Sequence, residues 1–153
     1  MNKTNDMENY KASGTLMSKL IEFEGCRLTA YRCPAGVWTI GIGHTRGVKK
    51  GQRITEAQAL QLLKGDLLPC EQSVNNLKVC KTQGEFDALV DFTFNLGAAA
   101  LAKSTLLAKI RMGASETEIR KEFSRWVYAN KVKLAGLVRR RQWEADRFFG
   151  KED

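Results

Sequence analysis

Histidine is almost missing from this chain, with one, His44, in 153 residues. A structural zinc site needs several thiolate or imidazole ligands at short spacings, and the four cysteines, Cys26, Cys33, Cys70 and Cys80, contain no CxxC pair. No metal site is expected, and no cofactor motif takes its place. Proline is also scarce, with 2 residues, and no low-complexity tract appears. With 43% hydrophobic and 27% charged residues, this excludes disordered and collagen-like architectures. No apolar run reaches the roughly 20 residues that span a bilayer, and the opening MNKTNDMENYKASG lacks the apolar centre of an export signal. The expectation is a folded protein with no stable membrane insertion, made and at first kept in the cytoplasm.

Carboxylates are in deficit: 25 Lys and Arg stand against 17 Asp and Glu, a formal net charge of +8. The excess is uneven, with net charges of +5 over residues 1–54, −3 over 55–102 and +6 over 103–153. Two basic segments around an acidic middle suit a surface that meets an anionic polymer, whether nucleic acid, membrane or bacterial cell wall. No helix-turn-helix, zinc or aromatic-platform signature accompanies the charge, so nucleic acid is not the expected partner.

A chain of this length makes a single domain, or two small lobes sharing a core, and needs no disulfide or metal staple. Leu16, Met17, Leu20 and Ile21 form a helical stripe over Ser13 to Glu24, stopped by Gly25. From Ala30 to His44 the residues turn to Tyr, Val, Trp, Thr and Ile around Pro34-Ala35-Gly36, which predicts a hairpin, with Gly41 and Gly43 marking bulges or close backbone approach. Thr55-Glu-Ala-Gln58 is a capping box that opens about six helical turns, kinked at Pro69. Thr82 caps a second helix, Phe86 to Leu96, apolar enough to be central and closed by Gly97. Ser115-Glu-Thr-Glu118 caps a third, Ile119 to Tyr128, and shorter helices are expected at Ser104 to Arg111 and Leu137 to Phe149.

Glu24 carries the most chemical information. Leu20 and Ile21 lie four and three residues before it, which places its carboxyl on the apolar face at a helix C-terminus. Desolvation and the helix dipole there both favour the protonated carboxyl, the state a general acid needs. An ion pair with a downstream arginine is the competing reading. His44 has no nucleophile beside it and is expected to act structurally, paired with Asp66 on the long helix. In the basic run Lys131, Lys133, Arg139, Arg140 and Arg141, helical spacing suggests an Arg140 to Glu144 pair.

Read in order, Glu24-Gly25-Cys26-Arg27-Leu28-Thr29-Ala30-Tyr31-Arg32-Cys33-Pro34-Ala35-Gly36-Val37-Trp38-Thr39-Ile40-Gly41-Ile42-Gly43-His44-Thr45 resembles the catalytic block of the phage-type lysozymes, glycoside hydrolase family 24. Three further stretches are similar to the same family in the same order. They are Phe86 to Gly97, Ser104-Thr105-Leu106-Leu107, and Phe123-x-x-Trp126 leading to Gly136-Leu137-Val138-Arg139-Arg140-Arg141. The resemblance spans about residues 13 to 149.

It implies an α+β, mainly helical, lysozyme-like fold, with a small hairpin lobe (13–60, after a polar tail at 1–12) joined by a long helix to a larger helical lobe (61–149). It implies an endolysin: a monomeric muramidase that cuts the β-1,4 bond between N-acetylmuramic acid and N-acetylglucosamine in bacterial peptidoglycan, waiting in the host cytoplasm until released to the wall. By motif position Glu24 is the general acid and Thr39 orients the attacking water. The family's third position, nine residues after the Glu, is usually Asp and here is Cys33. Most glycosidases use two carboxylates, and a thiol with an ordinary pKa of about 8.5 is mostly neutral at pH 7 unless its surroundings favour the thiolate. Members with a Glu/Cys/Thr set resemble this chain, so Cys33 stays a candidate. A packed Cys33, or one bonded to Cys26, remains open at this point, as does a lytic transglycosylase, which needs no second carboxylate.

Overall fold

Gly25 ends the first helix as the spacing requires. In the computed structural model, which describes residues 9–152, α1 runs Gly14–Glu24 with Leu16 and Leu20, one turn apart, buried. Gly25 takes φ 74° and donates its N–H to the Ile21 carbonyl at 2.8 Å, a left-handed stop that costs glycine little. The first eight residues of the expected polar tail lie outside the described residues. The rest of that stretch is tied down. Tyr10 N–H donates to Asn75 Oδ1 at 3.0 Å, Ala12 N–H to Glu71 Oε2 at 2.6 Å, and the Ser13 hydroxyl to the Asp87 carboxylate.

Strands β1 (Arg27–Arg32) and β2 (Trp38–Gly41) form the expected hairpin. They pair antiparallel with Tyr31 opposite Thr39 and Arg32 opposite Trp38, and a bulge falls between Arg27 and Tyr31. The turn closes through Cys33 N–H to Val37 O at 2.9 Å and Gly36 N–H to Cys33 O at 2.7 Å. On the other edge of β1, Ala30 N–H donates to Gln52 O and Ile54 N–H to Leu28 O, both at 2.9 Å, so residues 52–54 run beside it with Arg53 opposite Thr29.

Helix α2 (Glu56–Leu77) opens on the capping box, with Thr55 N–H on Gln58 Oε1 at 2.8 Å and Gln58 N–H on Thr55 Oγ1 at 3.1 Å. It carries Pro69 inside it. The described chain divides there into two compact units, residues 14–69 and residues 9–13 with 70–152.

In the second unit, α3 (Gln83–Leu96) is capped by Thr82 and buries every residue from Phe86 to Thr93. Then come α4 (Ala98–Lys103), α5 (Thr105–Arg111), α6 (Glu116–Phe123), a short hairpin of β3 (Tyr128–Ala129) and β4 (Val132–Lys133), and α7 (Ala135–Phe148), which packs along α3. The approach is close, because a Cβ on Gly84 would run into the Arg147 carbonyl oxygen. Two expectations are corrected here. The helix expected over Ile119 to Tyr128 ends at Phe123, and Tyr128 instead opens the β3–β4 hairpin, which turns at Asn130 and Lys131 with φ 50° and 66°. The expected Arg140 to Glu144 pair is replaced: Arg140 makes a two-pronged contact to Asp91 at 2.9 Å each, and Arg141 takes Glu144. The planar guanidinium fits a carboxylate side-on across the α3–α7 interface better than along its own helix.

Among the described residues no helix is long and apolar enough to cross a membrane. The chain is mainly helical with small two-stranded hairpins, the α+β architecture that the resemblance implies.

Candidate active site

The three candidate residues, Glu24, Cys33 and Thr39, all fall in the unit of residues 14–69. Glu24 is the last residue of α1 and is half-buried. Gly43 closes on it: a Cβ built at Gly43 would lie 2.9 Å from Glu24 Oε1, and Gly43 itself takes φ 70°. Any side chain there would be strained and would push the carboxyl aside. The sequence marked Gly43 for close backbone approach, and the group approached is the Glu24 carboxyl.

Cys33 and Thr39 are brought together by the main chain of Val37. The Thr39 hydroxyl, buried, donates to the Val37 carbonyl at 3.0 Å, and the Cys33 N–H donates to the same oxygen. Cys33 lies just beyond the end of β1. It is the first residue of the turn, while Tyr31 takes the place opposite Thr39. The Val37 N–H, aimed at the sulfur, is the largest influence on the thiol. Partial desolvation acts the other way, and the Ala35 N–H and Thr39 hydroxyl add to Val37, so the Cys33 thiol is held below its ordinary range. Cys26 and Cys33 both carry unbonded thiols, so no bond between them locks the turn.

His44 pairs with Asp66 as expected, Nδ1 to Oδ2 at 2.8 Å, while Nε2 faces the Arg46 carbonyl at 2.9 Å. Both ring nitrogens are occupied, which fixes the loop after β2 to α2 and leaves His44 a structural residue. Tyr128 is 60% exposed on β3. Sequence reasoning missed Val37, because it acts through main-chain atoms that every residue carries. Among the described residues no three His, Cys, Asp or Glu side chains gather as a metal site. A cavity of about 350 Å³ lies in the other unit, lined by Arg120, Val127, Lys133, Val138 and Arg141, and it touches none of the three candidates.

A family model described as phage lysozyme matches residues 21–144, a span that takes in Glu24, Cys33, Thr39 and the α3–α7 pair. The chain belongs to the phage lysozyme family. An endolysin from Acyrthosiphon pisum secondary endosymbiont phage 1 is 39% identical over 127 residues, covering 80% of this chain and 86% of that one. Among solved structures, the muramidase domain of SpmX from Asticaccaulis excentricus superposes with a TM-score of 0.82 at 39% identity, covering 91% and 97% of the two chains. The endolysin from Escherichia coli O157:H7 phage FAHEc1 superposes with a TM-score of 0.84 at 33% identity, covering 96% and 98%. The family match thus falls on the same residues that the local chemistry singled out.

Proposed function

We propose that this member of the phage lysozyme family is a muramidase of the endolysin kind, hydrolysing the β-1,4 bond between N-acetylmuramic acid and N-acetylglucosamine in bacterial peptidoglycan and so lysing the cell. The observation that carries the reading is Glu24, half-buried at the end of α1 with Gly43 closed against its carboxyl, within a chain of this family. In the proposed reaction Glu24 protonates the leaving glycosidic oxygen as positive charge develops at the anomeric carbon. The Thr39 hydroxyl, which lies 3.0 Å from the Val37 carbonyl, keeps a lone pair to accept from the attacking water. The Cys33 thiolate, favoured by the Val37 N–H, takes that water's proton. Atoms balance: water supplies hydroxyl to the muramic acid carbon, and the Glu24 proton goes to the departing sugar oxygen.

Glu24→Gln keeps shape and hydrogen-bonding capacity and removes the acid, so clearing of cell-wall suspensions should fall by about 10²-fold or more, with the thermal midpoint little changed. Full clearing by that variant would end the assignment. Storage of a monomer in the host cytoplasm until release to the wall belongs to the same proposal. Finding the protein in the membrane pellet, or as an oligomer by sedimentation, before lysis would remove that part.

A further inference from the structure

From Gly25 to Thr55 the chain holds six cations and not one Asp or Glu: Arg27, Arg32, Arg46, Lys49, Lys50 and Arg53. All six are exposed, and none forms an ion pair with a carboxylate among the described residues. Arg27 and Arg32 lie over the Tyr31 and Trp38 rings at 4.4 and 5.7 Å, while the side chains of Arg46, Lys49, Lys50 and Arg53 meet no hydrogen-bond or ion-pair partner among the described residues. In the helical unit Arg120, Arg140, Arg141 and Arg147 each sit on a carboxylate. Other cations there, Lys121, Lys131, Lys133 and Arg139 among them, form no ion pair among the described residues, so what sets residues 25–55 apart is a run of cations with no carboxylate in it. Gathering like charges without counter-charges costs stability through self-repulsion, and an anionic ligand offsets that cost.

The fold brings Arg53 near the strand of Thr39. Residues 52–54 line one edge of β1 and β2 lines the other, so Arg53 lies two strand spacings, about 10 Å, from the strand of Thr39. Lys49 is tied into the same loop by Gln52, whose N–H donates to the Lys49 carbonyl at 3.1 Å and whose side chain accepts from the Lys49 N–H at 3.2 Å. A peptide of about four residues extends roughly 13 Å from its point of attachment. We propose that this surface binds the free carboxylates of the stem peptides that hang from the glycan being cut, an inference that rests on the muramidase reading above. Stem carboxylates accompany the scissile bond at every second sugar, as phosphate polymers of a wall do not. The Arg53 fork also matches a carboxylate two-pronged.

The test uses phosphate-free peptidoglycan with its amines acetylated, its carboxyls either native or converted to primary amides. Wild-type enzyme should show a KM about three- to tenfold lower on the native substrate at low ionic strength, and salt should erase that advantage. The variant carrying Arg46→Gln, Lys49→Gln, Lys50→Gln and Arg53→Gln should show one KM on both substrates, equal to that of wild type on the amidated one, with kcat unchanged. Unchanged activity on the amidated substrate also shows that the variant folds. A variant that loses equally on both substrates, or loses nothing on the native one, overturns the proposal. A loss seen only on walls that still carry phosphate polymers overturns it too, and assigns the patch to phosphate. Wild-type enzyme that cuts neither substrate removes the muramidase reading, and the role of the patch with it.

Discussion

Cys33 holds the position where the family resemblance places Asp, and a thiol there changes the pH at which the site gains its base. The Val37 N–H keeps the Cys33 thiol below its ordinary range, so its anion appears at lower pH than that of a free cysteine. If that anion takes the proton of water, kcat/KM rises with pH as Cys33 ionises, and this limb of the profile belongs to the thiol. Cys33→Asp should move the limb toward the carboxylate range, near about 4, and keep activity at neutral pH. An identical acid limb in both enzymes would take Cys33 out of the chemistry. Glu24 was legible in the sequence because helical spacing and Gly25 fix its place, and Gly43 because glycine after a strand signals close approach. Val37 was not legible, since a main-chain N–H and carbonyl leave no mark on residue identity.

The same division holds between elements. Helices α1, α2 and α3 were readable from caps and stripes within a few residues of one another: Gly25, the Thr55-Gln58 box, Thr82 and Gly97. The β3–β4 hairpin was not, because Tyr128 and Trp126 look like the end of an aromatic helical face. Only the left-handed Asn130 and Lys131 reveal the turn.

Ion-pair partners on α7 escaped for a related reason. Asp91 is 49 residues from Arg140, so helical spacing offered the nearer Glu144 instead. Burial opposes the Asp91 anion, and the Glu144 hydrogen bond and Arg140 guanidinium outweigh it, so its carboxyl sits below the usual range. Burial first, then the hydrogen bond to Asp91, holds Glu144 well above that range. What Asp91 contributes is present above the ordinary carboxylate range and lost as pH falls through its folded value. What Glu144 contributes is lost as pH rises through its own. Asp91→Ala strands a buried arginine and should cost about 3–5 kcal/mol in urea unfolding at neutral pH. A cost below about 1 kcal/mol would mean that Arg140 finds another partner.

At the scale of the whole molecule, the +8 net charge is carried by two basic segments. They are not equivalent. Arg120 to Asp146, Arg140 to Asp91 and Arg147 to Asp87 each join two helices, whereas Arg120 to Glu116 and Arg141 to Glu144 lie within one. The cations of residues 25–55 face outward on the unit that carries Glu24, Cys33 and Thr39. Net charge counts residues and cannot see pairing, although the lack of any Asp or Glu from 25 to 55 is visible in the sequence. The charge alone named no partner; the family match and the Glu24 geometry point to peptidoglycan.

Hydrolysis by Glu24 is the central claim, and the products of cleavage test it most directly. Purified peptidoglycan digested by the wild-type protein and analysed by mass spectrometry should yield fragments ending in reducing N-acetylmuramic acid, and the Glu24→Gln variant should yield almost none. Fragments ending in 1,6-anhydro muramic acid, the mark of a transglycosylase, or undiminished release by Glu24→Gln, would contradict it.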